Sequence, residues 1–145
     1  MRIQLKNLMG LDGTPTFAQT FGITFDNGVQ WAEKGLELAR DGKLDEARVI
    51  LEGLVTLNPR SPAYWHALGC VYQQQELLDD AIQAFDQATT RDRQNVDAWL
   101  RLGTVKLKKG DRDGLIALKN VLDDTRAGSA EYVARARAIL ASVKH

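Results

Sequence analysis

Residues 62–95 read PAYWHALGCVYQQQELLDDAIQAFDQATTRDRQN, and this stretch decides the fold. Trp65, Leu68, Gly69 and Tyr72 stand at W-x2-L-G-x2-Y spacing, followed by Ala81 and Phe85 at A-x3-F. The unit is not solitary. Trp31, Trp65 and Trp99 are the chain's three tryptophans and lie 34 residues apart, each followed four residues later by a glycine: Gly35, Gly69 or Gly103. The rarest large residue in register with a partner glycine marks an internal repeat, and this period is that of a helix–turn–helix unit.

Physical chemistry supports the same division. A glycine inside a helix costs about 1 kcal/mol relative to alanine. Three of them at one register imply close approach of a neighbouring helix, with Ala47 and Ala81 as small partners. The tryptophans are expected to fill the space between helices, where truncating one costs roughly 3–5 kcal/mol. Helix starts are marked by Asn27 with Gln30 as a capping box, by Ser61 before Pro62, and by Asn95. Turns fall at Asp41–Gly42, Gln75–Glu76 and Gly110–Asp111, giving expected pairs 28–40 with 44–57, 62–75 with 79–91, and 96–109 with 112–124. Each helix is marginal alone at such lengths, so stacking supplies the stability.

The motifs resemble the tetratricopeptide repeat over roughly residues 28–127. Unit one retains Trp31, Gly35, Gly42, Ala47 and Pro59; unit three retains Trp99, Leu102, Gly103 and Gly110. Departures are Arg93 for the family's proline and Glu76 for the turn glycine. In unit three, Leu115 stands at the alanine position and Lys119 at the aromatic one. The resemblance implies an all-α chain of three tandem repeats (28–61, 62–95 and 96–127) in a right-handed superhelix. Residues 129–143 read as a further helix, with Tyr132, Val133, Ala136, Ile139, Leu140 and Val143 on its apolar face. Residues 128–145 are thus expected to cap the last repeat. Residues 1–27 form an irregular N-terminal arm carrying Phe17, Phe21 and Phe25. Packing over the first repeat, occupying a groove, swapping into a homodimer and disorder until a partner binds all remain open for it.

Composition excludes several classes of function. Nineteen basic residues balance nineteen acidic ones, so no overall field draws the chain to nucleic acid. The opening MRIQLKNLMG lacks the apolar run of a secretory signal, and nothing approaches a membrane span, so a cytoplasmic location without membrane insertion is expected. One cysteine excludes an internal disulfide. No Gly-rich phosphate loop is present, and Asp111–Gly114 lacks the ligands of a calcium loop. His66 and Cys70 lie four apart on one helix face and have the chemistry of a thiol nucleophile or half a zinc site. No third group is near them in sequence, so they read as groove-lining residues; no catalytic residue, metal or cofactor is expected.

In the family the first helix of each repeat lines the concave face. Carried onto this chain, the inward positions are Val29, Ala32, Leu36, Ala39 and Arg40; Ala63, His66, Cys70, Gln73 and Gln74; and Asp97, Leu100, Thr104, Leu107 and Lys108. Such a largely apolar groove suits a partner peptide held by apolar anchors, with His66, Gln73 and Gln74 available to its backbone. Leu36, Leu100 and Leu107 could instead be covered by the arm or by the inner wall. Repeats that capture acidic chaperone tails use a clamp of lysine, asparagine and arginine; here Ala32, Leu36, Ala67 and Asp97 occupy its positions and only Arg101 matches. The stretch from Gly42 to Ala88 is more similar to the class II chaperones of bacterial type III secretion, which implies binding of an extended translocator segment before secretion. A scaffold subunit of an envelope, pilus or secretion assembly is the competing reading, and a thiol or metal enzyme using His66 and Cys70 the third.

Overall fold

Hydrophobic periodicity, interrupted by a turn signal every 34 residues, resolves into paired helices. The computed structural model describes residues 22–24, 27–124, 126 and 128–143. Among these, α1 spans Gly28–Arg40 and α2 Leu44–Leu57. They are followed by α3 at Pro62–Gln74 and α4 at Leu78–Arg91. The third hairpin comprises α5 at Val96–Lys108 and α6 at Gly114–Leu122, and α7 spans Ala130–Ser142. No strand occurs among the described residues, and the fold is all-α. Each helix packs on the next in chain order, α1 also touches α3, and α7 lies against both α5 and α6. No described helix is long and apolar enough to cross a membrane. Most of the expected N-terminal arm, including Phe17, Phe21 and Phe25, lies outside the described residues.

Two of the three expected caps form. Ser61 Oγ accepts from the Tyr64 N–H at 3.3 Å and Asn95 Oδ1 from the Ala98 N–H at 3.1 Å. Asn27 does not cap α1. Its Oδ1 accepts from the Thr24 N–H at 2.6 Å and its Nδ2 donates to the Gly22 carbonyl at 2.9 Å, so the side chain closes the preceding turn instead. At the other end, Gly42, Glu76 and Gly110 occupy one left-handed position in three repeats, with φ of +82°, +60° and +89°. Behind them Lys43, Leu77 and Asp111 donate to the carbonyls of Leu38, Tyr72 and Lys106, the same helix-ending closure each time.

The repeat glycines lie where the helices of a hairpin meet, and side chains larger than the expected alanines stand nearest to them. Ala47 and Ala81 are fully buried. What stands over the glycines is a larger side chain from the second helix. A Cβ on Gly35 would come 3.3 Å from Leu51, on Gly69 2.6 Å from Phe85, and on Gly103 2.8 Å from Leu118. The glycine thus opens a socket for a large residue. In unit three the expected register also shifts. Arg112 and Asp113 lie in the turn and α6 begins at Gly114, so Gly114 and Leu118, not Leu115 and Lys119, take the small and large positions. Lys119 is left exposed. A Cβ on Gly114 would meet the Gly103 carbonyl at 2.6 Å, so here the backbones themselves nearly touch.

The indoles are half-buried against the core. Each of two donates six residues back: Trp65 Nε1 to the Pro59 carbonyl at 2.7 Å, Trp99 Nε1 to the Arg93 carbonyl at 2.9 Å. They therefore fasten the preceding loop as well as filling the interface. Between repeats, Tyr72 donates to the buried carboxylate of Glu52 at 2.8 Å, tying α3 to α2. At the C-terminal end Leu100, Leu118, Val121 and Ala136 form a separate cluster, joined by Tyr132, Ile139 and Leu140. The capping helix expected from its apolar face is in place.

Candidate functional site

The first helices of the hairpins, α1, α3 and α5, carry all fifteen expected inward residues, and the structure divides them into three groups. Val29 and Leu36 are exposed large apolar side chains, at 61% and 37%. With them, Ala63 is exposed and Ala32 and Ala39 are half-buried. A cavity of about 370 Å³ opens here, lined by Leu36, Pro62, Ala63, Ala67 and the cluster residues His66 and Cys70. Asp92 and Asn95 close its other edge. This is the apolar part of the face, and it belongs to the first two repeats.

Between the second and third repeats the face is polar. His66 Nε2 meets Asp97 Oδ2 at 2.5 Å, and Arg101 Nε donates to the same oxygen at 2.8 Å. One helical turn further, Arg101 donates to Gln73 Oε1 at 3.1 Å; at the end of the helices Lys108 donates to both oxygens of Glu76, at 2.9 and 2.7 Å. A ladder of side-chain bridges thus joins α3 to α5. Of the residues expected to be available to a ligand's backbone, His66 is bonded to the next repeat through Nε2 and Gln73 through Oε1. Gln74 and Arg40 are exposed, and Thr104 returns its hydroxyl to the Leu100 carbonyl at 2.7 Å.

Leu100 leads the third group, with Leu107 beside it. At 2% exposure it is under α7, in the cluster with Leu118, Val121 and Ala136. The reading of Leu100 as an open groove residue is therefore corrected: the capping helix covers it. Leu107 is half-buried at the edge of the same cluster.

The charges of the ladder reinforce one another. Burial disfavours the imidazolium of His66, but hydrogen bonds to Asp97 and Cys70 outweigh it and hold the group up at about 9. Burial likewise opposes the Asp97 carboxylate, yet His66 and Arg101 draw it down to about 2. His66 is therefore a cation at neutral pH, and its Nε2–H donates to Asp97. Cys70 Sγ lies 3.9 Å from the same nitrogen. The missing third group beside His66 and Cys70 is thus supplied by Asp97, 31 residues from His66 and in the next repeat. Sequence spacing within one helix could not reveal it.

Comparison with known proteins places this geometry. Residues 62–95 match the family model of the tetratricopeptide repeat. A stretch of 71 residues, 49% of this chain, is 35% identical to the peroxisome biogenesis protein 5 of Arabidopsis thaliana; the chain spans about a tenth of that relative's length. The fold is thus that of a tetratricopeptide-repeat array. More particularly, it resembles solved type III secretion proteins. A T3SS complex from Aeromonas hydrophila superposes with a TM-score of 0.76 at 23% identity, over 91% of this chain and 90% of that one. The translocator chaperone SycD of Yersinia enterocolitica gives 0.72 at 20% identity, over 90% of this chain and all of that one. PcrH in complex with the chaperone binding region of PopD gives 0.75 at 24% identity, over 83% of this chain and 92% of that one. At these identities the likeness establishes the fold.

Proposed function

We propose that this chain binds an extended or helical segment of a partner protein against α1 and α3, as a secretion chaperone or adaptor working in the cytoplasm. The observation that carries this reading is the cavity of about 370 Å³ walled by Leu36, Pro62, Ala63 and Ala67. Val29 and Leu36, two turns apart on α1, are two of the three exposed large apolar side chains among the described residues, which supports an interaction site on this helix. Apolar anchors entering it would supply affinity, while the ladder beyond Cys70 would set where the apolar stretch of the ligand must end. The same array in SycD and PcrH is found with peptides of YopD and PopD, which supports a peptide rather than a small molecule as the ligand. The arrangement has no catalytic role in this reading, and the chain's place is that of a holding protein.

Co-expression with products of neighbouring genes, followed by affinity capture and gel filtration, tests it. A stoichiometric complex with a partner that is insoluble alone is expected. Leu36→Glu and Ala63→Glu should each abolish the complex with far-UV circular dichroism unchanged, because both side chains already reach solvent. Binding that survives both changes would remove this face from consideration.

A further inference from the structure

We propose that His66, Cys70 and Asp97 form a binding site for a thiophilic divalent cation, zinc by its ligand set. The inference is independent of peptide binding. One ligand atom from each residue, an imidazole nitrogen, a thiol sulfur and a carboxylate oxygen, lies within 4.8 Å of the others. Zinc takes these three donors at roughly 2.0–2.3 Å each, so two ligands of a tetrahedral site stand about 3.3–3.6 Å apart. The 3.9 Å separation of Nε2 and Sγ needs to close by only a few tenths of an ångström. The ion would take the place of the proton on Nε2, so the 2.5 Å contact with Asp97 Oδ2 is given up and the carboxylate turns Oδ1 to the metal while Oδ2 stays with Arg101. His66 and Cys70 come from adjacent turns of α3, an i, i+4 pair that a rigid helix presents together. Asp97 comes from the first turn of α5, so the ion would staple two repeats.

Arg101 is the obvious objection, because its guanidinium lies on Asp97. The hydrogen bond from Arg101 uses Oδ2, and Oδ1 remains to meet an ion; a ligating carboxylate oriented by an outer hydrogen bond is the usual arrangement. With three protein donors, a fourth position stays open beside the apolar cavity, as in zinc sites that accept water or an incoming ligand.

The test uses the full chain, stripped with a chelator and titrated with cobalt(II), then zinc. A one-to-one complex is expected, showing thiolate-to-cobalt charge transfer and the strong visible bands of a tetrahedral site, both bleached by zinc. Cys70→Ser should abolish the charge-transfer band, and His66→Gln and Asp97→Asn should each weaken cobalt binding at least about tenfold, a loss on the scale of metal-site variants. Zinc should raise the Tm of the parent chain and not that of Cys70→Ser. Three results would overturn the proposal: no charge-transfer band, affinity unaltered in both His66→Gln and Cys70→Ser, or one ion held between two chains in sedimentation. Because three separate variants are read, misfolding of any one leaves the question decidable.

Discussion

Phe85 sits directly over Gly69, so close that a Cβ on the glycine would come 2.6 Å from the ring's Cε1. The pair fixes how tightly α3 and α4 close, and both residues are buried at the middle of the array. The equivalent contact in the first repeat is looser, with Leu51 at 3.3 Å from the same hypothetical atom on Gly35.

This difference predicts unequal responses to one substitution. Gly69→Ala forces the aromatic ring aside, and overpacking of that kind costs typically 1–3 kcal/mol, more than the ~1 kcal/mol gained in helix propensity. Gly35→Ala needs only a few tenths of an ångström from Leu51, so the two effects nearly cancel. Urea denaturation should show Gly69→Ala with a lowered midpoint and Gly35→Ala close to the parent.

Glu76 is the one described non-glycine residue at positive φ. An L side chain there is strained by about 1–2 kcal/mol, whereas its exposed bridge to Lys108 returns about 0–1 kcal/mol. Glu76→Gly is therefore expected to raise stability by about 0.5–1 kcal/mol. Calorimetry should record a Tm increase of a few degrees; a decrease would mean that the Lys108 bridge outweighs the backbone.

Leu100 separates capping from binding. Leu100→Ala opens a cavity beneath α7, with an expected loss of about 2–5 kcal/mol. Its effect should appear as earlier hydrogen exchange in α7 and α6, with α1 and α3 little changed. Partner capture at low temperature should persist, in contrast to Leu36→Glu.

The metal-free chain should also lose stability with alkali. The groups facing His66 are Asp97 and Arg101 from α5, Cys70 from its own helix, and the Phe85 ring of α4. Its pKa is raised from 6.5 to about 9 by folding, so its contribution is complete below 6.5 and is lost as pH rises through 9. Asp97 runs the other way: its pKa falls from 3.8 to about 2, so its contribution holds above 3.8 and is lost as pH falls through 2. Between those limits the pair contributes in full. With chelator present, the parent should lose Tm between pH 6.5 and 9.5, and His66→Gln should flatten that decline.

The repeat itself was legible because its signals are local and periodic. Tryptophan, glycine and turn residues recur at 34-residue intervals, and Ser61 and Asn95 cap their helices within four residues of themselves. The cap at Asn27 was misread because the competing donor, Thr24, precedes it outside the repeat pattern. The one-residue shift that brings Gly114 and Leu118 into the core was readable only as a small and a large residue each one place early. Lys119 in the aromatic position was the signal that the register had moved.

By itself the sequence determined the helical hairpins, their number, the caps that share the repeat, and the apolar face of the last helix. All of these follow from residues close together along the chain, where spacing alone sets which side chains share a surface. Only tertiary structure decided that Leu100 is roofed over, that Phe85 stands directly over Gly69, and that Asp97 completes a cluster with His66 and Cys70. Those contacts join residues of different helices, and their partners depend on the angle and depth at which one helix seats on the next.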